Sequence, residues 1–127
     1  MTPETPATNT LPKEERISSK PDISRLMEDG RRGSCGDIRF RWFVREEGGC
    51  NRIMVSVPKK MFKRAVKRNL LKRRIREAYR VRKSLLVHSS GIDVIFIYNS
   101  QEVLCLEEIS TLVETALKHI AKKTAKS

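Results

Sequence analysis

One segment of the chain, residues 59–83, carries all of its excess positive charge. This segment contains thirteen Lys and Arg residues and one acid, Glu77, so its net charge of +12 equals the formal net charge of the whole 127-residue chain. The remaining residues are neutral in sum. The fold must therefore display one strongly basic element, which is typical of a surface that binds a polyanion.

The basic segment has the pattern of a two-faced helix. Drawn at about 100° per residue from Arg68 onward, its side chains fall on two arcs. The polar arc holds Arg68, Asn69, Lys72, Arg73, Arg76, Arg80 and Lys83. The opposite arc holds Leu70, Leu71, Ile75, Ala78, Val81, Leu85 and Leu86. At about 1.5 Å per residue the polar arc is roughly 22 Å long, which is enough to meet several phosphates.

The spacing of these charges differs from that of an ordinary solvated helix face. A solvated face usually places acids and bases four residues apart, whereas Arg68, Lys72, Arg76 and Arg80 repeat like charges at that spacing. Each like-charge pair opposes the helix by about 0.2–0.5 kcal/mol. Because a polyanion would remove this cost, we interpret the polar arc as a binding surface.

Composition limits the class of partner and the number of domains. With 39% hydrophobic and 33% charged residues, the chain is expected to form one domain with a modest core. Nucleic acid is the favoured partner and a membrane is not, because a membrane-surface helix carries bulky aromatic residues beside its basic face and this one has only Tyr79. Residues 1–11 lack the apolar core of a signal peptide, so we expect a cytoplasmic protein.

The sequence predicts neither a catalytic residue nor a metal site in the protein. Cys35, Cys50 and Cys105 are too scattered for a paired-thiol metal site, and the two His residues are isolated. No Ser/His/Asp set or paired carboxylates are recognisable. Asp93, which begins an apolar run, is interpreted as a strand-edge residue and not as a base.

The first part of the chain predicts a tail, a helix and a loop. Residues 1–10 are rich in Thr and Pro and are expected to be disordered. Pro21–Asp29 is predicted to be a helix, since Ser residues suited to capping precede it and Gly30 follows it. Residues 31–37 are predicted to be a loop.

Three strands and a closing helix are predicted beyond that loop. Residues 38–45 alternate apolar and polar side chains, and residues 52–57 form an apolar run that suggests a strand buried on both faces. With a turn at 46–51, these two strands are expected to pair as a hairpin. Residues 92–98 predict a third strand, and an amphipathic helix is predicted from Leu106.

This order of elements predicts an α+β fold. We expect a small α/β sandwich with one mainly antiparallel central sheet and three helices, in which the long basic helix forms a βαβ crossover. The predicted organisation is a disordered tail over residues 1–10, a single RNA-binding domain over 11–121 and a basic C-terminal tail over 122–127.

Two strings in the chain carry a family resemblance. VSVPKK (55–60) and AVKRNLLKRRIREAYR (65–80) resemble the signature of the bacterial ribonuclease P protein subunit, in which a strand ending in Lys-Lys precedes an Arg-Asn-x-x-Lys-Arg-x-x-Arg-Glu helix. The likeness extends over about residues 11–121, including the opening arm LPKEERI and the strand IDVIFIY. It implies the ribonuclease P protein fold, which is shared with a domain of a small-subunit ribosomal protein.

The resemblance also implies a function. Proteins of this family bind the catalytic RNA of ribonuclease P and assist the Mg²⁺-dependent endonucleolytic removal of the 5′ leader from precursor tRNA, with the RNA as catalyst. No cofactor is then expected on the protein alone, the Mg²⁺ belongs to the RNA, and no obligate protein partner is inferred. The RNA-binding residues implied are Lys59, Lys60, Arg68, Asn69, Lys72, Arg73, Arg76 and Arg80.

The family also binds the leader in a cleft between the first helix and the open face of the sheet, where aromatic side chains meet unpaired bases. Phe40 and Trp42, which share one face of the first predicted strand, are the candidates for this role. Two alternatives stay open: a ribosomal or general RNA-binding protein without a role in tRNA processing, and a protein-only nuclease. The second would need a carboxylate cluster around a metal, and the acids here are dispersed.

Overall fold

The described part of the chain folds into three helices and four strands. The structure, a computed structural model, describes residues 15–17, 19–45, 49–86 and 91–124. Its elements, in chain order, are α1 (Lys20–Asp29), β1 (Arg31–Cys35), β2 (Ile38–Val44), β3 (Arg52–Ser56), α2 (Ala65–Arg82), a 3₁₀ turn (Lys83–Leu85), β4 (Ile92–Tyr98) and α3 (Leu106–Thr124). This arrangement confirms the predicted α+β class.

The four strands form one sheet in the order β1-β2-β4-β3. β1 pairs with β2 and β2 with β4 in antiparallel fashion, whereas β3 and β4 are parallel and are connected through α2. The predicted hairpin between residues 38–45 and 52–57 is therefore wrong. β4 is the most apolar strand and is buried almost throughout, so it takes the position that has a neighbour on both sides and separates β2 from β3.

The strand β1 occupies most of the segment that was predicted to be a loop. Arg31–Cys35 has few apolar residues, so it lacks the alternation that marks a strand. Its register is set by a two-residue turn, because Cys35 pairs with Ile38 and Gly36 has a φ of 55°, a backbone conformation that suits glycine. Gly33 also allows close packing, since a Cβ there would lie 2.5 Å from the ring of Phe40.

The sheet separates two apolar layers of unequal size. On one side, α2 and α3 pack with alternate strand residues such as Phe40, Val94 and Phe96 to form the main core. On the other side, α1 packs its buried Leu26 near Ile95 in a smaller cluster. The prediction that both faces of residues 52–57 are buried is wrong, because β3 is an edge strand with one buried and one half-buried face.

The first and last helices have clear boundaries. The Ser19 hydroxyl caps α1 by accepting a hydrogen bond from the Asp22 amide, as the sequence predicts. α3 continues to Thr124, so the first three residues of the predicted basic tail are helical, with Lys122 and Lys123 in the last turn, where cations are favoured. The predicted tail at 1–10, residues 46–48 of the predicted turn and residues 125–127 lie outside the described residues.

Asp93 is a structural residue near the start of its strand, as the sequence predicts, and its side chain is buried. It belongs to the central strand β4 and is only 1% exposed. Two guanidinium groups compensate its charge, from Arg45 just after β2 and from Arg52 at the start of β3. A buried carboxylate with two such partners is a structural element of the sheet.

Candidate nucleic-acid interface

The basic helix α2 is anchored by its apolar side chains. Leu71, Ile75, Ala78 and Tyr79 are buried in the main core, so the opposite side of the helix faces solvent. Val81, which was assigned to the apolar arc, is 57% exposed, because this flank of α2 lies beside an open groove next to α3. Burial raises the pKa of the Tyr79 phenol, which stays neutral and packs against Phe96.

The predicted RNA-binding residues share the solvent side of α2 and the segment that leads into it. We call them the basic face: Lys59, Lys60, Arg68, Asn69, Lys72, Arg73, Arg76 and Arg80. Lys59, Lys60, Asn69 and Arg73 are exposed and the other four are half-exposed. All eight are thus accessible to solvent, and contact with RNA remains a prediction.

Three cations at the centre of the basic face have no acidic partner within the described part of the chain. Lys72, Arg73 and Arg76 make no ion pair there, whereas Arg80 pairs with Glu77 at 2.6 Å. That contact holds the pKa of the Glu77 carboxyl below its ordinary value, through the hydrogen bond and the charge of Arg80. The helix therefore keeps its middle cations available and compensates two charges near its end, Arg80 through Glu77 and Arg82 through Glu114.

Other basic residues of the segment are used to hold the protein together. Arg68 donates two hydrogen bonds through Nη1, to the carbonyls of Phe62 and Lys63, at 2.8 and 2.9 Å. Arg74 donates to the Leu104 carbonyl at 2.6 Å, and Lys83, predicted as the end of the polar arc, pairs with Glu15 at 3.0 Å. The charge pattern of the sequence does not distinguish these structural cations from the available ones.

Arg16 of the opening arm adds a further cation beside Arg76 of the basic face. Arg16 pairs with Ile53 through an isolated parallel bridge, and the Ile17 amide donates to the Ile53 carbonyl at 3.0 Å, so these two residues lie beside β3. Arg16 and Arg76 line a groove of about 220 Å³, and the pKa of Arg76 is lowered first by burial and then by the charge of Arg16. Two guanidinium groups that face one groove form a suitable contact for an anion.

Phe40 and Trp42 are not exposed stacking surfaces. Their side chains are 1% and 4% exposed, stack on each other with ring centroids 5.8 Å apart, and both meet the edge of His119 from α3. This burial contradicts the expectation that these two rings receive unpaired bases. The alternation in β2 correctly identified one shared face, and that face is the core.

The opposite face of β2 presents Phe43. This ring is partly exposed in the smaller cluster below α1, and every other Phe, Tyr and Trp side chain belongs to the main core. Arg39 and Arg41 alternate with the core residues and share its side of the sheet. Sequence reasoning missed Phe43, although the same alternation that selected Phe40 and Trp42 places it on the other face.

The described residues contain no helix long and apolar enough to cross a membrane. They also contain no group of three or more His, Cys, Asp and Glu side chains that could hold a metal ion. They present the basic helix α2 on one face of the sheet and the partly exposed ring of Phe43, with Arg39 and Arg41, on the face that α1 covers.

A family model described as Ribonuclease P matches residues 11–124 of the chain. The chain belongs to the ribonuclease P protein family. This identification confirms the resemblance that the two sequence strings carry, and the matched region includes the whole basic face.

Related ribonuclease P proteins agree with this assignment. The ribonuclease P protein component of Citrifermentans bemidjiense is 31% identical over 121 residues, which cover 92% of this chain and 97% of the relative. That of Porphyromonas gingivalis is 40% identical over 83 residues, which cover 64% of this chain and 61% of the relative, so the match spans about three fifths of that protein. A solved structure of the RNase P protein from Staphylococcus aureus has a TM-score of 0.74 at 28% identity and covers 85% of this chain and 96% of that one.

Proposed function

We propose that this chain is the protein subunit of ribonuclease P, a ribonucleoprotein endonuclease that removes the 5′ leader of precursor tRNA and whose RNA is the catalyst. Membership of the ribonuclease P protein family supports the assignment. The family match disfavours the alternative of a ribosomal or general RNA-binding protein without a role in tRNA processing. We place the complex in the cytoplasm and infer no further protein partner.

The observation that carries the proposal is the set of uncompensated cations at the centre of the basic face. Lys72, Arg73 and Arg76 lie within five positions of one helix and have no carboxylate partner among the described residues. Their mutual repulsion is relieved when phosphates replace the solvent beside them. The catalytic RNA is the polyanion that the proposal assigns to this surface.

We place the leader of precursor tRNA on the α1 side of the sheet. Phe43 is partly exposed there and Arg39 is exposed on the same face of the sheet, so unpaired bases find a ring and their phosphates find a guanidinium group. Arg41, on the same face, donates a hydrogen bond to the Met27 carbonyl at the end of α1. Stacking of this kind contributes about 1–3 kcal/mol per base and tolerates different sequences. This assignment replaces Phe40 and Trp42 as the leader-binding candidates.

The Mg²⁺ of the reaction belongs, in this proposal, to the RNA. The described residues offer no carboxylate or imidazole cluster for a metal ion. The protein contributes by neutralising RNA phosphates with its basic face, which lowers the Mg²⁺ concentration that the folded RNA requires.

Reconstitution tests the proposal. The chain is combined with ribonuclease P RNA and precursor tRNA, and cleavage is measured across a Mg²⁺ titration with and without the protein. The protein is expected to shift the titration to lower Mg²⁺ and to cleave nothing alone. Cleavage by the protein without RNA, or a titration that the protein leaves unchanged, would overturn the assignment.

A further inference from the structure

The guanidinium group of Arg25 lies over the ring of Phe43, with its central carbon 4.9 Å from the ring centroid. A cation at this distance is attracted to the ring face and covers it. A base that enters the cleft from the α1 side therefore meets Arg25 before it meets Phe43. The two side chains form a layered unit in which the guanidinium group is the outer layer.

A chain of ion pairs holds this outer layer in place. Asp22 accepts a hydrogen bond from Arg25 at 2.9 Å and contacts Arg52 at 3.2 Å. Arg52 in turn is fixed by two hydrogen bonds to the buried Asp93, at 2.9 and 2.7 Å. These ion pairs connect Arg25 in the cleft to Asp93 in the core. Because the Arg25 side chain is held in this way, it loses little conformational entropy on binding.

The exposed fractions of these four side chains show which of them is accessible to a ligand. The side chains of Asp93, Arg52, Asp22 and Arg25 are 1%, 20%, 22% and 35% exposed. α1 contains no aromatic residue, so the guanidinium group of Arg25 is the only large planar group that this helix offers to the cleft. Guanidinium planes stack on nucleobases as aromatic rings do.

We infer that Arg25 and Phe43 form a composite stacking platform on which an unpaired base of the leader stacks against the outer face of the Arg25 guanidinium group. This inference rests on the proposed function and adds the contacting group. Arg25 contacts the base, while Asp22 and Arg52 are positioning residues that hold its guanidinium group over the Phe43 ring. Arg39, exposed on the same face of the sheet, is the cation assigned to an adjoining phosphate.

The test distinguishes the contribution of the planar guanidinium group of Arg25 from the contribution of its positive charge. Holoenzyme is assembled with ribonuclease P RNA, and its affinity is measured for a cleavage-resistant precursor tRNA and for mature tRNA, so that their ratio reports the leader contribution. Arg25→Lys keeps the charge and loses the plane, and it is expected to lower the ratio about five-fold or more, the lower end for one stacked base. Arg25→Tyr keeps a plane and loses the charge, and it is expected to retain most of the ratio.

Two controls make the outcomes distinguishable. Arg31→Lys changes an exposed arginine that pairs with Trp42 in register and so faces the α3 side, and it should leave the ratio unchanged. Affinity for ribonuclease P RNA and thermal unfolding of each variant report whether the fold is intact. The inference is overturned if Arg25→Lys keeps the wild-type affinity ratio, or if Arg25→Tyr lowers the ratio as much as Arg25→Lys does. Either result leaves the proposed function standing. If the wild-type holoenzyme binds precursor tRNA and mature tRNA with equal affinity, both the proposed leader site and the stacking platform are overturned.

Discussion

Arg52 and Asp93 are joined by two hydrogen bonds between neighbouring parallel strands, with Nε to Oδ1 at 2.9 Å and Nη2 to Oδ2 at 2.7 Å. Arg45 approaches the same carboxylate at 3.0 Å from the end of β2. One buried carboxylate thus links the ends of the three adjacent strands β2, β4 and β3.

Replacing that carboxylate is expected to destabilise the fold strongly. Asp93→Asn leaves the guanidinium of Arg45, which is about nine-tenths buried, without its counter-charge. Breaking a buried ion pair from one side costs about 3–5 kcal/mol. Urea unfolding measures the loss, and Glu28→Gln, at an exposed position of α1, should change the free energy of unfolding by less than about 0.5 kcal/mol. Equal stabilities of the two variants would contradict the role assigned to Asp93.

A new charge should unfold the domain on the buried side of α2 and be tolerated on its exposed flank. Leu71→Asp places a carboxylate at a fully buried position, and the cost of several kcal/mol is comparable with the total stability of a small domain. Val81→Asp, at a side chain that is 57% exposed, should leave the domain folded. Circular dichroism and thermal unfolding of the two variants check this, and a folded Leu71→Asp protein would refute the packing of α2.

RNA binding should depend on the unpaired cations of the basic face. The double change Lys72→Ala and Arg73→Ala is expected to weaken binding to ribonuclease P RNA and to reduce the slope of log affinity against log salt by about 0.7–0.9 per lost phosphate contact. Filter binding at several salt concentrations measures both. Lys122→Ala with Lys123→Ala removes two exposed cations from α3 as the matched control. A loss of the same size in the control would show that only total charge matters.

The pair formed by Glu77 and Arg80 should contribute to stability in a pH-dependent way. Arg80 lowers the pKa of the Glu77 carboxyl in the folded protein below its ordinary 4.5. The unfolded chain then binds a proton more readily, so the stabilisation is present above pH 4.5 and is lost as the pH falls through the folded pKa. The stability difference between wild type and Arg80→Gln, measured by urea unfolding, is expected to shrink over this range. A difference that stays constant from neutral pH into acid would contradict the prediction.

The parts of the fold with strong periodicity could be predicted from the sequence. The helix at Lys20–Asp29, the strands at Ile38–Val44 and Ile92–Tyr98, and the buried residues Leu71 and Ile75 follow from apolar spacing and from capping residues. These signals are local, since a helix or strand repeats its pattern within a few residues.

Pairing between strands could not be predicted in the same way. The hairpin prediction joined strands that are neighbours in sequence, while β4, which lies much later in the chain, occupies the place between them. The Gly36-Asp37 turn was the available signal for β1, because a two-residue turn that begins with Gly is typical of a hairpin.

The candidate site, too, could be predicted from the sequence only where the signal is local. The basic face follows from charge and helical spacing, and its residues are accessible to solvent while Leu71, Ile75, Ala78 and Tyr79 of the same helix are buried. The choice between Phe40 and Phe43 depends on which face of β2 the larger helical layer covers, and alternation alone does not contain that information.

The central strand is also the last strand to be synthesised. Among the four strands of the described residues, β3 pairs with β4 alone, and the seven-residue pairing of β2 with β4 needs the same segment. A nascent chain therefore carries the complete basic helix out of the ribosome before the sheet that supports it can close. Folding has to wait for a contact between distant parts of the sequence, which slows it relative to a protein of local contacts. A translation product that stops before Ile92 has every cation of α2 but lacks the strand that joins β2 to β3 in the sheet beneath them.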